Sequence, residues 1–216
     1  MAAARPARLP RGVRIMNRIE LSVAIAALAL VTAQDLAAKP ARYDIDPDHL
    51  SVGFLVDHVG YAKVLGMFRA GSGSYVFDEQ TGALSSVRIE IDTASVFTNH
   101  RKRDDHLKSA DFLNSAEFPK MTFTADGARR TGDRTFVIDG QLEILGRRNP
   151  VTLQATWNKS GEHAMGGGLF SAKPYAMGVS ARGSFKRSAW GMRYGADNGW
   201  VGDTVELIIE IEAKRE

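Results

Sequence analysis

The segment Thr204 to Ala213, TVELIIEIEA, leaves a folding chain little choice. Val205, Leu207, Ile209 and Ile211 alternate with Glu206, Glu210 and Glu212, and Ile208 is the one apolar residue out of step. A helix would scatter these side chains around its axis, whereas a strand places them on opposite faces. A slip of one residue would turn the glutamates into the core, so the register of this strand is fixed by its own sequence.

The same two-residue period recurs along the chain. Leu50 to Asp57 sets Val52, Phe54 and Val56 on one face, and Ser86 to Asp92 does so with Val87, Ile89 and Ile91. Lys63 to Ala70, Ser74 to Asp78, Lys120 to Asp126, Thr135 to Leu145, Pro150 to Asn158 and Met177 to Arg187 read alike. About nine strand segments result, with turn residues between them and no alternation of strand and helix. The fold class is therefore all-β with one or two short helices. About eight antiparallel strands with one apolar face either split into a sandwich or close into a barrel that is filled by side chains or holds one small ligand. Gly161 to Gly178 is the longest irregular segment.

The first 38 residues read differently. Met16-Asn17-Arg18 followed by the apolar run Leu21 to Val31 has the design of a secretory signal, too short for the ~20 apolar residues of a membrane span. Met16 is the expected true start, with cleavage after Ala33 or Ala38, so residues 1–38 are expected to be a leader and residues 39–216 one domain. The leader carries five arginines against Glu20 and Asp35; the remainder has twenty-three basic and twenty-three acidic residues, so the overall charge of +3 is no argument for nucleic-acid binding. Cysteine is absent, which excludes disulfides and thiol catalysis. The expected product is an exported protein of the periplasm, or a secreted one, with no stable membrane anchor after cleavage.

Between two strand-like runs lies SVFTNHRKRDDHLKSADFLNSAEFP, Ser95 to Pro119. Thr98 or Asn99 suits the cap of a helix over Arg101 to Ala110, with Asp104 and Lys108 at the favourable i, i+4 spacing. Asp111 suits the cap of a second short turn, and Pro119 marks the return to extended chain. A metal-dependent enzyme using His58, His100 and His106 is one reading. His100 and His106 stand six apart, however, not the i, i+4 spacing that aligns two imidazoles on a helix face, so no metal site is expected. No G-x-S-x-G elbow occurs, and no catalytic residue is assigned. The alternative is a latch in which Arg103, Asp104 and His106 pin the helix while Leu107, Phe112 and Leu113 close part of a wall. An interaction module with a filled core is a third reading.

Candidate lining residues follow from the strand faces. Phe54, Phe68, Phe77, Phe123, Phe136 and Trp157 either line a tunnel or fill a core. Met177, Val179, Ala181, Gly183 and Phe185 share a face, and the small Ala181 and Gly183 either leave a cavity or permit a bend. His58 and Tyr61, at the turn after the first strand, could offer hydrogen bonds to a ligand head group.

Four stretches together resemble the YceI family of polyisoprenoid-binding proteins: YDID with His49 (Tyr43 to His49), F-x-V-x-H-V-G-Y-x-x-V-x-G-M-F (Phe54 to Phe68), the Ser95 to Pro119 segment, and GQLEILGRRNPVTL (Gly140 to Leu153). The resemblance runs from about Tyr43 to Glu212. It implies an extended, lipocalin-like antiparallel β-barrel, a non-catalytic carrier or binding protein, no cofactor, and a long isoprenoid chain, of a quinone or polyprenyl lipid, as ligand in the tunnel. On this reading Phe54, His58, Tyr61, Phe68, Phe112, Phe123, Trp157, Ala181 and Gly183 line the tunnel or its mouth. Transient membrane contact and a homodimer are compatible with an open-ended tunnel. His49-Leu50-Ser51 and Gly146-Arg147-Arg148-Asn149-Pro150 depart from the family's pattern, and the Gly161 to Gly178 loop and AWGMRYGADNGW (Ala189 to Trp200) show no close match to it and are expected to reshape the tunnel mouth.

Overall fold

The computed structural model describes residues 39–167 and 172–216. The leader expected over residues 1–38 lies outside the described residues, as do residues 168–171 within the irregular segment. No helix among the described residues is long and apolar enough to cross a membrane.

Eleven strands form one sheet: β1 (Ala41–His58), β2 (Ala62–Phe68), β3 (Gly71–Phe77), β4 (Leu84–Asp92), β5 (Val96–Phe97), β6 (Lys120–Ala125), β7 (Arg129–Arg130), β8 (Thr135–Ile144), β9 (Arg147–Glu162), β10 (Tyr175–Lys186) and β11 (Val201–Arg215). Among the described residues, one helix, α1 (Arg101–Lys108), and 3₁₀ turns at Thr93–Ser95 and Arg187–Trp190 complete it. Neighbours run antiparallel in the order β11-β10-β9-β8-β6-β4-β3-β1, and β1 also pairs with β11. An eight-stranded barrel is thereby closed. Closure removes the exposed edges of an open sheet.

The alternation in β11 explains its place. Val205, Leu207, Ile209 and Ile211 point into the barrel. Glu206 meets Lys63 at 2.5 Å on the outside, and Glu210 meets Arg182 at 2.6 Å. β1 starts well before the alternating run at Leu50, because its register slips between Ile45 and Leu50, around Pro47. Such an irregularity hides a strand from a two-residue period. The irregular segment is shorter than its composition suggests, since β9 continues to Glu162 and β10 resumes at Tyr175.

One edge of β1 serves two strands. Its first part, Ala41 to Asp44, pairs with β3, and its last part, Val52 to His58, pairs with β2. On its other side β2 meets only the short β5, so the segment around α1 completes the wall between β2 and β4.

The barrel is filled at one end and open at the other. Tyr43, Ile45, Tyr75, Phe77, Phe136, Ala155, Met177 and Ala213 are buried around the start of β1. Tyr43 and Tyr75 stack at 5.4 Å, and Phe77 meets Phe136 and Trp157 edge to face at 5.8 and 5.6 Å. Glu79 ties this plug together, accepting from Tyr43 Oη, from Ser160 Oγ at 2.5 Å and from Tyr175 Oη at 3.0 Å. Burial pushes the Tyr43 and Tyr75 hydroxyls well above the usual tyrosine range, the Glu79 carboxylate adding to the rise at Tyr43.

Candidate functional site: an apolar cavity open at one end

From Leu50 to the end of β1, the same barrel encloses a cavity of about 500 Å³. Its walls are the inward faces of the strands: Val52, Phe54 and Val56 from β1, Ile89 and Ile91 from β4, Met121 and Phe123 from β6, Val151 and Leu153 from β9, and Leu207, Ile209 and Ile211 from β11. The two-residue period of each strand puts an aliphatic or aromatic group on this surface at most inward steps. An apolar bore with few polar groups gathered at one end is the usual form of a small-molecule site.

Two of the lining phenylalanines lie across glycines. Phe54 covers Gly66 of β2, its register partner, and Phe123 covers Gly140 of β8. A Cβ at either glycine would overlap the ring, so glycine lets each ring lie flat against the wall.

The Ser95 to Pro119 segment closes the gap beside β2. Helix α1 is capped by His100, whose Nδ1 accepts from Arg103 N at 3.3 Å, rather than by Thr98 or Asn99. It ends at Lys108, two residues short of Ala110, where Ser109 turns extended and its N–H and Oγ both return to His106 O. The expected Asp104–Lys108 pair does not form, because Asp104 faces inward, 8% exposed, and Lys108 meets Asp105 at 3.7 Å. Asp104 Oδ1 accepts from Thr98 N at 2.8 Å and from Thr98 Oγ1 at 2.5 Å. Arg103 donates to the same residue, from Nε to Oγ1 and from Nη2 to the carbonyl, both at 2.7 Å. Both latch residues thus grip Thr98. Leu107, Phe112 and Leu113 line the cavity from this segment.

His106 takes a different place. Its Nε2 lies 2.8 Å from Asp111, and its ring stands edge-on between Phe112 at 5.0 Å and Tyr194 at 4.7 Å. His58 lies at the cavity mouth at the end of β1, while His100 is occupied in capping. Among the described residues no group of three or more His, Asp and Glu side chains is arranged to hold a metal ion.

Of the candidate lining residues, Phe54, His58, Phe68, Phe112 and Phe123 stand on the cavity wall, as do Arg103 and His106 of the latch. Trp157, Ala181, Gly183 and Tyr61 do not. Trp157 belongs to the aromatic plug, under the Arg134 guanidinium, and Ala181 is packed in the core opposite Ala155. Gly183 leaves no void, since the room a side chain would take is occupied by Leu153 Cδ2 and Thr152 O, each 2.8 Å from a Cβ there. Small residues in β10 thus accommodate their neighbours instead of opening a bore. Tyr61 is 90% exposed at the tip of the β1–β2 turn, beyond the lining.

The mouth is shaped by residues 187–201, as expected for Ala189 to Trp200, but Arg187, Met192, Tyr194 and Trp200 were not among the candidate residues. Arg187, only 3% exposed, donates to four backbone carbonyls: Nε to Gly202 at 2.8 Å, Nη1 to Met192 at 2.7 Å, and Nη2 to Tyr194 and Val201, each at 2.8 Å. It thereby folds the Met192 to Gly202 loop over the barrel end. Its guanidinium also lies 5.6 Å from the Phe112 ring centroid. Burial holds its pKa below the usual arginine value, against the opposing pull of Asp203 and Asp197. Met192, Tyr194 and Trp200 of this loop line the cavity. A glycine-punctuated stretch rich in Trp, Tyr and Met between two strands was the available signal.

The rim is apolar and open to solvent. Val59, Tyr194 and Trp200 line the cavity yet are 45%, 42% and 57% exposed, and Val59 N donates to Trp200 O at 3.2 Å across the mouth.

Residues 43–213 match the YceI-like domain. The chain is 34% identical over 197 residues to Protein YceI of Escherichia coli O157:H7, an alignment covering 91% of this chain and 97% of that protein. Among solved structures, the Campylobacter jejuni YCEI protein superposes with a TM-score of 0.65 at 26% identity, over 74% of this chain and 90% of that one. A polyisoprenoid binding domain from Saccharophagus degradans shares the fold, with a TM-score of 0.58 at 12% identity over 82% of this chain and all of that domain. The chain belongs to the YceI-like family.

Proposed function

We propose that this member of the YceI-like family is a periplasmic carrier that holds a long isoprenoid chain, of quinone or polyprenyl type, in the open half of its barrel. The observation that carries the reading is the cavity itself, apolar along its bore, plugged at the Tyr43 end and open between Val59, Tyr194 and Trp200. Burying a chain there is favourable by about 0.8 kcal/mol per methylene, and the plug sets a limit on how deep the chain can run. The name of the Saccharophagus degradans domain supports an isoprenoid as the ligand class. The protein is a binder and not an enzyme on this reading, and its cavity lining is apolar apart from Asp57, His58, Arg103, His106 and Arg187. The exposed rim makes transient contact with a membrane when cargo is exchanged, as Trp and Tyr favour the membrane–water interface.

Mass spectrometry of an organic extract of residues 34–216, purified from a bacterial periplasm without detergent, tests the reading. A near-stoichiometric isoprenoid is expected. A lipid-free protein that takes up no added quinone would overturn it.

A further inference from the structure

The floor of the cavity is built differently from its walls. The lining residues nearest the plug include Ile89 of β4, Phe123 of β6, Leu153 of β9 and Ile211 of β11. One inward step closer to the plug, three of these strands carry alanine: Ala125 after Phe123, Ala155 after Leu153 and Ala213 after Ile211. Three methyl groups cannot fill a barrel at this level, yet all three alanines are buried, so larger side chains from other strands cover them.

Two aromatic rings stand at that level. Phe136 of β8 is the register partner of Ala155. Tyr75 of β3 stands one inward step past Gly73, which pairs with Ile89. Behind them Tyr43 stacks on Tyr75 at 5.4 Å, and Phe77 meets Phe136 at 5.8 Å. Tyr75 Oη is buried and hydrogen-bonds to none of the described residues, so what this position supplies to the plug is bulk.

The distance from this floor to the mouth sets a length. Leu50 and His58 of β1 both line the cavity, one toward the plug and the other at the mouth. At a rise of about 3.3 Å per residue and a tilt of about 40° to the barrel axis, the strand between them covers roughly 20 Å. A fully extended residue takes three backbone bonds to span about 3.5 Å, so an isoprene unit of four bonds takes roughly 5 Å. An eight-stranded barrel is wide enough for one small ligand, so a tail lies in it singly and extended.

We propose that Tyr75 and Phe136 form a chain-length gauge, and that the tail this barrel takes is about four isoprene units long, of the geranylgeranyl class. This rests on the carrier reading above. A longer tail meets the rings and leaves its remaining units outside the mouth, exposed to water. A shorter one leaves part of the bore without contacts.

Competitive uptake from a membrane tests the gauge. Residues 34–216 are incubated with phosphatidylcholine vesicles holding equal amounts of farnesol, geranylgeraniol and solanesol, which are shorter than, equal to and far longer than the proposed length. Prenols extracted from the recovered protein are quantified by mass spectrometry. Geranylgeraniol is expected to exceed solanesol by about tenfold or more, because every unit held outside the bore leaves apolar surface in water. In Tyr75→Val and in Phe136→Val, which keep a residue suited to a strand, that ratio is expected to fall by about threefold or more, with folding checked by thermal denaturation. Equal uptake of the two by the wild type, or a preference for solanesol, would overturn the gauge and leave the carrier reading standing. A preference for farnesol would overturn the assigned length. An unchanged ratio in both folded variants would overturn the assignment to Tyr75 and Phe136. Uptake of none of the three prenols would overturn the carrier reading as well. If neither variant folds, the wild-type ratio decides alone.

Discussion

Phe54 of β1 lies flat over Gly66, its partner on β2, so that the ring covers the glycine's Cα where a side chain would otherwise stand. The width of the bore at this level depends on that pair, because an inward ring stays against the wall only while the facing residue has no Cβ.

Gly66→Val is therefore expected to drive the Phe54 ring into the bore. Uptake of the isoprenoid ligand should fall about tenfold or more, with overpacking lowering stability by about 1–3 kcal/mol. Ligand titration and chemical denaturation measure the two effects. Gly183→Val, on a strand wall where Leu153 already fills the space, should cost stability with a much smaller change in affinity. Equal losses of affinity in both variants would contradict this account of the bore.

Removing Asp104 should release the latch. Asp104→Ala leaves Thr98 N without its acceptor in a buried setting and frees the Thr98 hydroxyl, at a cost of about 2–3 kcal/mol. Hydrogen exchange should accelerate first in residues 96–113, and the melting temperature should fall by about 5–10 °C. Exchange rising evenly over the whole barrel would show that the segment is not a separate latch.

A pH-dependent contribution sits at the start of the barrel. Lys214 Nζ at 2.8 Å, His49 Nδ1 at 3.1 Å and the Asp48 N–H hold the Asp46 carboxyl at about 2, well below the usual carboxylate range. A depressed pKa stabilises the fold above the unfolded-state value of about 3.9 and the effect is lost as pH falls toward 2. His49 has the opposite sign: Asp46 and Glu212 raise its pKa, so its contribution is present below about 6.5 and disappears as pH climbs past its folded value. Asp46→Asn should melt below wild type at pH 5, with a smaller gap at pH 8 and almost none near pH 2. A gap independent of pH would assign the loss to packing.

Exchange with membranes should depend on the exposed rim. Tyr61 stands outside the cavity lining, so Tyr61→Ser is expected to leave melting temperature and equilibrium affinity near wild type. Transfer of a fluorescent isoprenoid from phosphatidylcholine vesicles should slow several-fold, as interfacial tyrosine contributes to membrane contact. Unchanged transfer kinetics would place the exchange step away from this turn.

The sequence by itself determined most of the strands, their faces and hence the class of fold. In β11 the alternation of Val205, Leu207, Ile209 and Ile211 with glutamates is a local property, since a strand's faces follow from its two-residue period. The motifs around Phe54 to Phe68 and Ser95 to Pro119 were equally legible as a family resemblance, because they are contiguous. What only the tertiary structure decided was which inward residues fill the barrel and which line a space. Trp157 and Leu153 lie on the same strand and face inward alike, yet one belongs to the plug and the other to the cavity. That division is set by what the neighbouring strands bring to the same level: Phe77 and Phe136 at one end, Gly66 and Gly140 at the other. Arg187 was hidden for the same reason. Its partners are main-chain carbonyls up to fifteen residues away, and a carbonyl is present at every position of any sequence, so only the folded loop shows which four it holds.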